Sequence, residues 1–250
     1  RPNSLKRFRA CGIQECERVM LVPLDVEDER ARETAIELVE EQWGGVDVLV
    51  NNAGLCYRAV VEHASPEEEN AQLDVNYLAP MALTRLVLKG MRRRGFGRIV
   101  NVTPVAGMTA LPTLGAYSAS KFALAGASEA LWYEVRPWGI GVTLVEPGFV
   151  HTEGLRGVGA DDDERSLEMS PAYAGHYEGT SEIVSQLSDP SARTSAHVAA
   201  RIAKVIAARN PPLRVAGTWD AFAFSMMRRL LPQRFVHALL YGMLPRVNEW

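Results

Sequence analysis

The residues with the clearest capacity for chemistry are Tyr117 and Lys121, four positions apart at the start of an alanine-rich segment. Residues four apart lie on one face of an α-helix, so a phenol and an ammonium would point the same way. A nearby cation favours the phenolate and would lower the tyrosine pKa from about 10 toward working pH. Such a pair could exchange a proton with an alcohol or a carbonyl.

A tyrosine and a lysine at this spacing also occur as a solvated surface pair, so the pair alone does not define a site. Two further motifs accompany it. Residues 48–54 read VLVNNAG, an apolar run that ends in an amide-rich turn, and residues 145–148 read VEPG after another apolar run. In order and separation, the three motifs together resemble the short-chain dehydrogenase/reductase family, and the resemblance covers nearly the whole chain.

The elements that must position these motifs alternate along the chain. Hydrophobic patterning predicts strands over residues 19–26, 46–50, 99–102, 140–145 and 213–216, and helices over residues 28–43, 66–94, 117–137 and 196–208. This alternation predicts βαβ units, a parallel sheet and therefore an α/β fold. The resemblance implies the same class, a Rossmann-like, doubly wound parallel sheet.

The chain is predicted to form a single domain over residues 1–250, because α/β proteins commonly reach this size without splitting. Within it, residues 152–195 are rich in Gly, Asp, Ser and Pro, which predicts a substrate lid or binding loop. Residues 219–250 are predicted to form an amphipathic helical tail. Its apolar side chains fit core or dimer packing, and the alternative interpretation is a helix that lies on a membrane surface.

Composition argues against several classes of function. The net charge of −3 gives no electrostatic case for a nucleic-acid partner. No apolar stretch approaches the ~20 residues that span a bilayer. Cys11, Cys16 and Cys56 lack the spacing of a metal site or a redox motif, and the histidines form no HExxH-type motif. These features favour a cytoplasmic protein and give no indication of a metal site.

The start of the chain departs from the family pattern. A dinucleotide fold of this kind begins with a strand, a glycine-rich turn and a helix, and this sequence has no such turn. Residues 19–26 resemble the family's third strand, because Leu24, Asp25 and Val26 match its pattern there. We therefore expect the first βαβ unit to be missing, either because the sequence is truncated or because a divergent protein has lost its phosphate cradle.

The resemblance implies roles for individual residues. Tyr117 would be the catalytic acid or base, Lys121 would lower its pKa and hold the nicotinamide ribose, and Asn76 would hold a water in the proton relay. The residues implied for the cofactor are Arg1, Asp25, Val26, Asn52, Ala53, Gly54, Tyr117, Lys121, Pro147, Gly148, Val150 and Thr152. Arg1 would pair with a 2′-phosphate, so NADP is the expected cofactor and NAD is possible.

Several of these residues also have purely structural interpretations. Asn51 and Asn52 suit tight turns, Pro147-Gly148 fits an ordinary turn, and Asp25 is balanced between an adenine contact and an unrelated surface role. Asn76 lies among apolar residues and needs hydrogen-bond partners if it is buried, which fits either a relay or a structural bond. The sequence leaves these alternatives open.

One departure bears directly on catalysis. The family places a serine thirteen residues before the tyrosine to hydrogen-bond the substrate oxygen, and this sequence has Pro104 there. Thr103 is the neighbouring hydroxyl, but a shift of one residue in an extended segment turns a side chain to the other face. Losing a donor to an oxyanion costs roughly 10²–10³ in rate. Either Thr103 is repositioned as a catalytic donor or the protein is catalytically weak.

The resulting expectation is an NAD(P)-dependent oxidoreductase that interconverts an alcohol and a carbonyl on a small molecule and assembles as a homodimer or homotetramer. Phe149, Met169, Tyr173 and the tail favour an apolar substrate that is steroid-, retinoid- or lipid-like. A second hypothesis is a non-catalytic relative kept as a binding or assembly scaffold. Pro104 and the absence of a glycine-rich turn motivate that alternative.

Overall fold

Four parallel strands form the centre of the structure, a computed structural model that describes residues 12–148, 171–187, 195–245 and 247. The strands are β1 (Val48–Asn51), β2 (Gly97–Val102), β3 (Ile140–Glu146) and β4 (Arg214–Ala216), and they lie in that order across the sheet. All three pairings are parallel. The carboxyl ends therefore meet at one edge, which is where open α/β sheets bind ligands.

Helices precede, connect and follow the strands. They are α1 (Glu29–Trp43), α2 (Pro66–Leu73), α3 (Ala79–Arg94), α4 (Gly115–Val135), α5 (Ala174–Leu187), α6 (Ser195–Ala207), α7 (Trp219–Leu230) and α8 (Gln233–Met243). A π-helical turn at Asp74–Leu78 joins α2 to α3. Short 3₁₀ turns occur at Val105–Gly107, Arg136–Trp138 and Pro171–Tyr173.

Local sequence signals explain where the first helices begin and end. The Asp28 side chain caps α1 by accepting hydrogen bonds from the backbone N–H groups of Arg30 and Ala31, and Gly44 ends the helix in the left-handed conformation. Ser65 and Glu68 form a reciprocal capping box at the start of α2. These caps fix the two chain segments that flank β1.

The core occupies both faces of the sheet. One cluster consists of buried residues from α3, α4, β2 and β3: Val87, Met91, Ile99, Leu131, Val135, Ile140 and Val142. A second cluster lies on the other face, where Val100 and Val145 pack against Val198 and Val205 of α6. Strands buried on both faces explain the continuous apolar runs of β2 and β3. The predicted doubly wound α/β fold is confirmed.

The strand predicted over residues 19–26 is wrong. The run is extended, but its only described β pairing is an isolated antiparallel bridge between Cys16 and Val19. Met20, Val22 and Leu24 line a cavity of about 450 Å³ that also borders β1. A strand needs a neighbour to exchange backbone hydrogen bonds with, and among the described residues no strand of the sheet pairs with this run.

The region predicted as a lid or loop, residues 152–195, is partly helical. Residues 171–187 contain a 3₁₀ turn followed by α5, and residues 152–170 and 188–194 lie outside the described part of the chain. Within the predicted tail, residues 219–243 form two helices, α7 and α8, which Leu231 and Pro232 divide. Among the described residues, no helix has both the length and the apolar character to cross a bilayer.

Candidate active site

Helix α4 places Tyr117 and Lys121 side by side, as the helical spacing predicts. The Lys121 Nζ lies 5.9 Å from the centroid of the Tyr117 ring. Lys121 is buried and Tyr117 is half-buried. The ammonium also donates a long hydrogen bond of 3.4 Å to the carbonyl of Val102, the last residue of β2. The pair therefore lies at the carboxyl edge of the sheet.

The electrostatics of this pair differ from the sequence expectation. Burial, with a further contribution from nearby Cys56, raises the pKa of Tyr117 well above its ordinary value. Burial also lowers the pKa of Lys121 to about 8, and nearby Cys56 opposes that shift. Removing both groups from water penalises each charged form more than the ammonium favours the phenolate. Tyr117 is therefore a protonated phenol in this structure, which suits an acid.

Asn76 links this pair to the turn after β1. It is fully buried in the π-helical turn, its Oδ1 accepts from the Leu55 N–H at 2.9 Å, and its Nδ2 donates to the Leu55 carbonyl at 2.7 Å. Nδ2 also donates to Ser120 Oγ at 2.9 Å, and that hydroxyl donates to the Tyr117 carbonyl at 2.7 Å. Single π-helical turns inside helices are frequent at functional sites.

The turn after β1 presents its backbone beside the amine. Asn52, Ala53 and Gly54 are exposed. A Cβ placed on Gly54 would lie 3.4 Å from Asn76 Oδ1 and 3.7 Å from Lys121 Nζ, so glycine leaves this space open. Two of the sequence motifs thus meet at one place.

A series of hydrogen bonds between buried polar side chains runs from β1 through β2 to α4. Asn51 Nδ2 donates to Asn101 Oδ1 at 2.8 Å, and Asn101 Nδ2 donates to Ser128 Oγ at 2.8 Å. Ser128 in turn donates to the Leu124 carbonyl at 2.6 Å. Asn51 therefore bonds across the sheet through its side chain. Neither Asn101 nor Ser128 is among the predicted site residues, although an asparagine inside the apolar run of β2 is a visible signal in the sequence.

Pro104 fits at the end of β2 without removing a hydrogen bond to β3. The N–H groups of Thr103 and Val105 donate to the carbonyls of Val145 and Pro147 at 3.0 and 2.9 Å. Between two residues whose N–H groups point to β3, the N–H of the middle residue would point away, so proline costs no hydrogen bond to that strand. Thr103 is buried against Gly107, and among the described residues its hydroxyl has no hydrogen-bond partner.

The Pro147-Gly148 turn is held by the segment after β4. The N–H of Gly148 donates to Thr218 Oγ1 at 2.8 Å, and a Cβ on Gly148 would collide with the carboxylate of Asp220. Just before the turn, buried Glu146 pairs with Arg214 at 2.6 Å. Burial raises the pKa of Glu146, and the Arg214 guanidinium opposes that shift.

Of the remaining predicted cofactor residues, Asp25 and Val26 lie in the turn before α1, and the others lie outside the described residues. Asp25 is exposed, and its Oδ1 accepts from the Glu27 N–H at 3.1 Å, while the Val26 carbonyl accepts from Arg32 Nη1 at 2.5 Å. These bonds shape the turn into α1. Arg1, Val150 and Thr152 lie outside the described residues, and their cofactor roles stay predictions.

Arg58 is a structural residue of the site that the sequence analysis missed. It is buried, donates from Nε to Thr113 Oγ1 at 3.2 Å, from Nη1 to Ser181 Oγ at 2.7 Å and from Nη2 to the Tyr177 carbonyl at 2.9 Å. Its guanidinium also lies 5.8 Å from the Tyr177 ring centroid. Arg58 thus joins the loop after β1 to α5 and to the segment before α4. A single arginine in a loop gave no local signal of this role.

Thr113, one of those partners, has an unusual backbone. Its φ is +62°, in the left-handed region that β-branched residues rarely adopt. The Ala59 N–H donates to its carbonyl at 2.9 Å, in addition to the bond from Arg58. Strain of this kind costs about 1–3 kcal/mol and persists where the surroundings enforce it. Here it sets the path of the chain into α4 and Tyr117.

Comparison with known proteins places this arrangement in a family. A family model described as short chain dehydrogenase matches residues 5–163. The chain belongs to the short-chain dehydrogenase family. This short-chain dehydrogenase is 31% identical, over 230 residues, to a 3-ketodihydrosphingosine reductase of Bacteroides thetaiotaomicron, a match that spans 89% of this chain and 82% of the relative.

Matches to other proteins cover different shares of those proteins' lengths. Dehydrogenase/reductase SDR family member 7B of Bos taurus is 37% identical over 158 residues, and that match spans 63% of this short-chain dehydrogenase but only 48% of the bovine protein. The crystal structure of a short-chain dehydrogenase from Streptomyces avermitilis has 33% identity and a TM-score of 0.71, and the alignment covers 88% of this chain and 78% of that one. ElxO with NADP bound shares the fold at 22% identity, with a TM-score of 0.65 over 86% of this chain and 84% of that one.

Proposed function

We propose that this short-chain dehydrogenase is an NAD(P)-dependent oxidoreductase that interconverts an alcohol and a carbonyl on a small, apolar substrate. The observation that carries the proposal is the hydrogen-bonded and packed set formed by Tyr117, Lys121, Asn76 and Ser120 beside the exposed Gly54 turn. This set lies at the carboxyl edge of a parallel sheet, where such folds bind dinucleotides.

The described residues fit a nicotinamide dinucleotide at its nicotinamide end. Gly54 leaves open a space beside Lys121 Nζ that a side chain would fill, and Lys121 would hold ribose hydroxyls there. The exposed Asn52–Gly54 turn offers backbone groups beside this space, whereas in the Pro147-Gly148 turn the Gly148 N–H is already bonded to Thr218 and the Pro147 carbonyl to Val105. When bound, the cofactor donates a hydride to a carbonyl carbon or accepts one from an alcohol carbon.

Tyr117 supplies the proton that hydride transfer requires. Its raised pKa keeps the phenol protonated, so it donates to the carbonyl oxygen during reduction. In the oxidation direction the proton acceptor is the phenolate form, which the raised pKa disfavours. Lys121 is mostly an ammonium below pH 8, and it stabilises the phenolate that remains after donation. Asn76 holds the Leu55 backbone and Ser120 in place and would order a water in the relay. Thr103 remains the candidate donor in place of the family serine.

NADP is the proposed preference, with NAD possible. Arg1 is the proposed partner of a 2′-phosphate, and ElxO, a structure of the same fold, has NADP bound. A comparison of kcat/KM for NADPH and NADH tests the preference. A higher value for NADPH supports it, and a higher value for NADH contradicts it.

The apolar substrate class rests on the named relative and on the tail. The Bacteroides relative is named for a sphingoid-base precursor, which is lipid-like. Exposed apolar side chains lie on α7 and α8, and α7 begins directly after Thr218, whose hydroxyl accepts from the Gly148 N–H. Tyr173 is half-buried, while Phe149 and Met169 lie outside the described residues.

The test is nicotinamide absorbance with a panel of apolar ketones and alcohols. Tyr117→Phe should lower kcat by roughly 10²–10⁴ because it removes the proton donor, while NADPH binding is retained. Tyr133→Phe is the matched control, since Tyr133 lies on the same helix and is 64% exposed. Full activity of Tyr117→Phe, or no NADPH binding by the wild-type protein, would refute the proposal.

A second candidate function is a non-catalytic scaffold, which Pro104 and the buried Thr103 hydroxyl favour. Pro104→Ser discriminates between the two. A gain in turnover on this substitution supports a weakened enzyme. NADPH binding without turnover in either form favours the scaffold.

We further propose a homodimer or homotetramer that packs through α2, α3 and α4. Leu78 beside α3, and Phe122 and Tyr133 on α4, are large apolar side chains exposed in the single chain. Such exposed side chains are typical of surfaces that a partner covers. Light scattering reports the mass, and a monomer at micromolar concentration would contradict this assembly.

A further inference from the structure

Helix α7 carries an apolar stripe on its outward face. Trp219 is 80% exposed and Leu230 is 75% exposed, and Phe222 between them is also exposed. Together with Met226 they recur at intervals of three and four residues, which places them on one side of the helix. The Trp219 and Phe222 rings stack with centroids 5.3 Å apart, and Ala221 on the opposite side is fully buried.

Helix α8 repeats this arrangement. Phe235, Leu239 and Met243 are exposed and lie four residues apart, so they form a second outward stripe. Val236 and Leu244 are the buried residues that attach this helix to the rest of the protein. Surface helices normally direct their polar face outward. Two consecutive helices that direct large apolar side chains outward indicate an interaction surface.

The charge of this segment selects between possible occupants. Residues 219–245 contain three arginines, Arg228, Arg229 and Arg234, and one acidic residue, Asp220, which gives a formal charge of +2 in a chain whose net charge is −3. Arg229 and Arg234 are exposed. A second copy of the same surface would oppose like charges. An anionic lipid surface offers apolar depth and complementary charge together.

We propose that α7 and α8 form a docking surface for anionic membranes. The stripe residues Trp219, Phe222, Leu230, Phe235, Leu239 and Met243 enter the boundary between headgroups and acyl chains, and Arg229 and Arg234 bind lipid phosphates. Tryptophan and arginine suit this boundary because each joins an apolar body to a polar group. Since Thr218 at the start of α7 bonds to Gly148, the surface begins beside the candidate active site.

The test is co-sedimentation of the full chain with vesicles of phosphatidylcholine alone or with phosphatidylserine added. We expect binding to the anionic vesicles that weakens as salt rises. The double variant Trp219→Ser/Leu230→Ser should lose roughly tenfold or more in affinity, because it removes apolar insertion. Arg229→Gln/Arg234→Gln should lose the preference for anionic vesicles. Val61→Ser is the matched control, because Val61 is an apolar residue that is 80% exposed, as Trp219 is, and lies outside α7 and α8.

Three results would overturn the proposal. The first is an absence of binding to anionic vesicles by the wild-type protein. The second is equal loss of binding in Val61→Ser and in Trp219→Ser/Leu230→Ser, with circular dichroism showing all variants folded. The third is a wild-type oligomer, seen by light scattering, that the same double variant converts to monomer without any vesicle binding, since a second copy would then cover the surface. None of these results bears on NADPH turnover in solution.

Discussion

Two extended segments lie near β1, and they differ in how many hydrogen bonds from buried side chains fix their backbones. The segment after it, residues 54–60, is fastened by buried polar side chains: Asn76 bonds both backbone groups of Leu55, Gln72 accepts from the Tyr57 N–H at 3.0 Å, and Tyr177 accepts from the Val60 N–H at 3.0 Å. The segment before α1, residues 19–26, faces a cavity, and its described bonds lie near its two ends: the Cys16–Val19 bridge, a bond from the Leu21 N–H to Glu15 at 3.3 Å, and a bond from Arg32 to the Val26 carbonyl at 2.5 Å.

The difference between the two segments shows that an extended segment is fixed by the partners of its backbone groups and not by its own sequence. One segment follows β1 directly and the other lines a cavity together with β1, and the run at 19–26 has the more strand-like sequence. Buried backbone groups need partners, and buried side chains supply them at three positions of the segment after β1, whereas the side chains that bond residues 19–26 are the exposed Glu15 and the half-buried Arg32. The catalytic candidates lie on the fastened side, where a positional error of a fraction of an ångström would affect a proton transfer.

The largest expected effect concerns the amine on the fastened side. The value of kcat/KM for the cofactor reports ionisations of the free enzyme. Because burial holds the pKa of Lys121 at about 8, below its ordinary value, the group is charged below that pH and neutral above it. We expect kcat/KM for NADPH to fall about tenfold per pH unit above about 8.

Two variants sharpen this expectation. Lys121→Arg keeps its charge at all accessible pH values, so the alkaline limb should disappear even though the rate is lower throughout. Lys121→Met should lose roughly 10²–10⁴ in kcat/KM at pH 7. A wild-type profile that stays flat up to pH 10 would contradict the assigned ionisation.

The next largest effect concerns Arg58, whose hydrogen bonds fix the segment after β1. Arg58→Met removes the buried guanidinium and with it the hydrogen bonds that it donates to the Thr113 and Ser181 hydroxyls and to the Tyr177 carbonyl. We expect a loss of about 2–4 kcal/mol in the free energy of unfolding, measured by urea denaturation. The matched control is Arg18→Met on the other side of β1, where Arg18 is exposed and the expected change is within about 0.5 kcal/mol.

A second readout separates fastening from general destabilisation. Since Arg58 joins α5 to the segment before α4, Arg58→Met should raise KM for the substrate more than it lowers kcat. Arg58→Lys should restore stability only in part, because an ammonium lacks the planar fork that reaches three acceptors. Equal stability of the Met variant and the wild type would show that the fastening is dispensable.

The same contrast explains which parts of the protein the sequence could predict. Elements with strong periodicity or clear caps, such as α1 with Asp28 and Gly44, were predicted to within one residue. The parallel sheet followed from alternation. The spacing of Tyr117 and Lys121 was sufficient to predict that they are neighbours, because one helix contains both.

What the sequence did not predict depends on distant partners. Arg58 meets Ser181, 123 residues away, and Asn51 meets Asn101 across the sheet. No local pattern marks such pairs. The pKa of Tyr117 was expected to fall, but the outcome depends on how far burial removes both groups from water, which spacing does not reveal. The run at 19–26 failed as a strand for a related reason, since pairing is a property of two segments.

The smallest expected effect lies on the open side of β1 and tests whether the cavity is real. Leu24 lines the cavity and is half-buried, whereas Leu124 is almost fully buried in α4. Leu124→Ala should cost about 3–4 kcal/mol in the free energy of unfolding, because it removes packed atoms and leaves a hole. Leu24→Ala should cost less than about 1 kcal/mol, because a side chain beside a cavity has few packed atoms to lose. If urea denaturation gave the same cost for both, Leu24 would be packed as tightly as Leu124, the run at 19–26 would be part of the core, and the contrast between the two sides of β1 would be wrong.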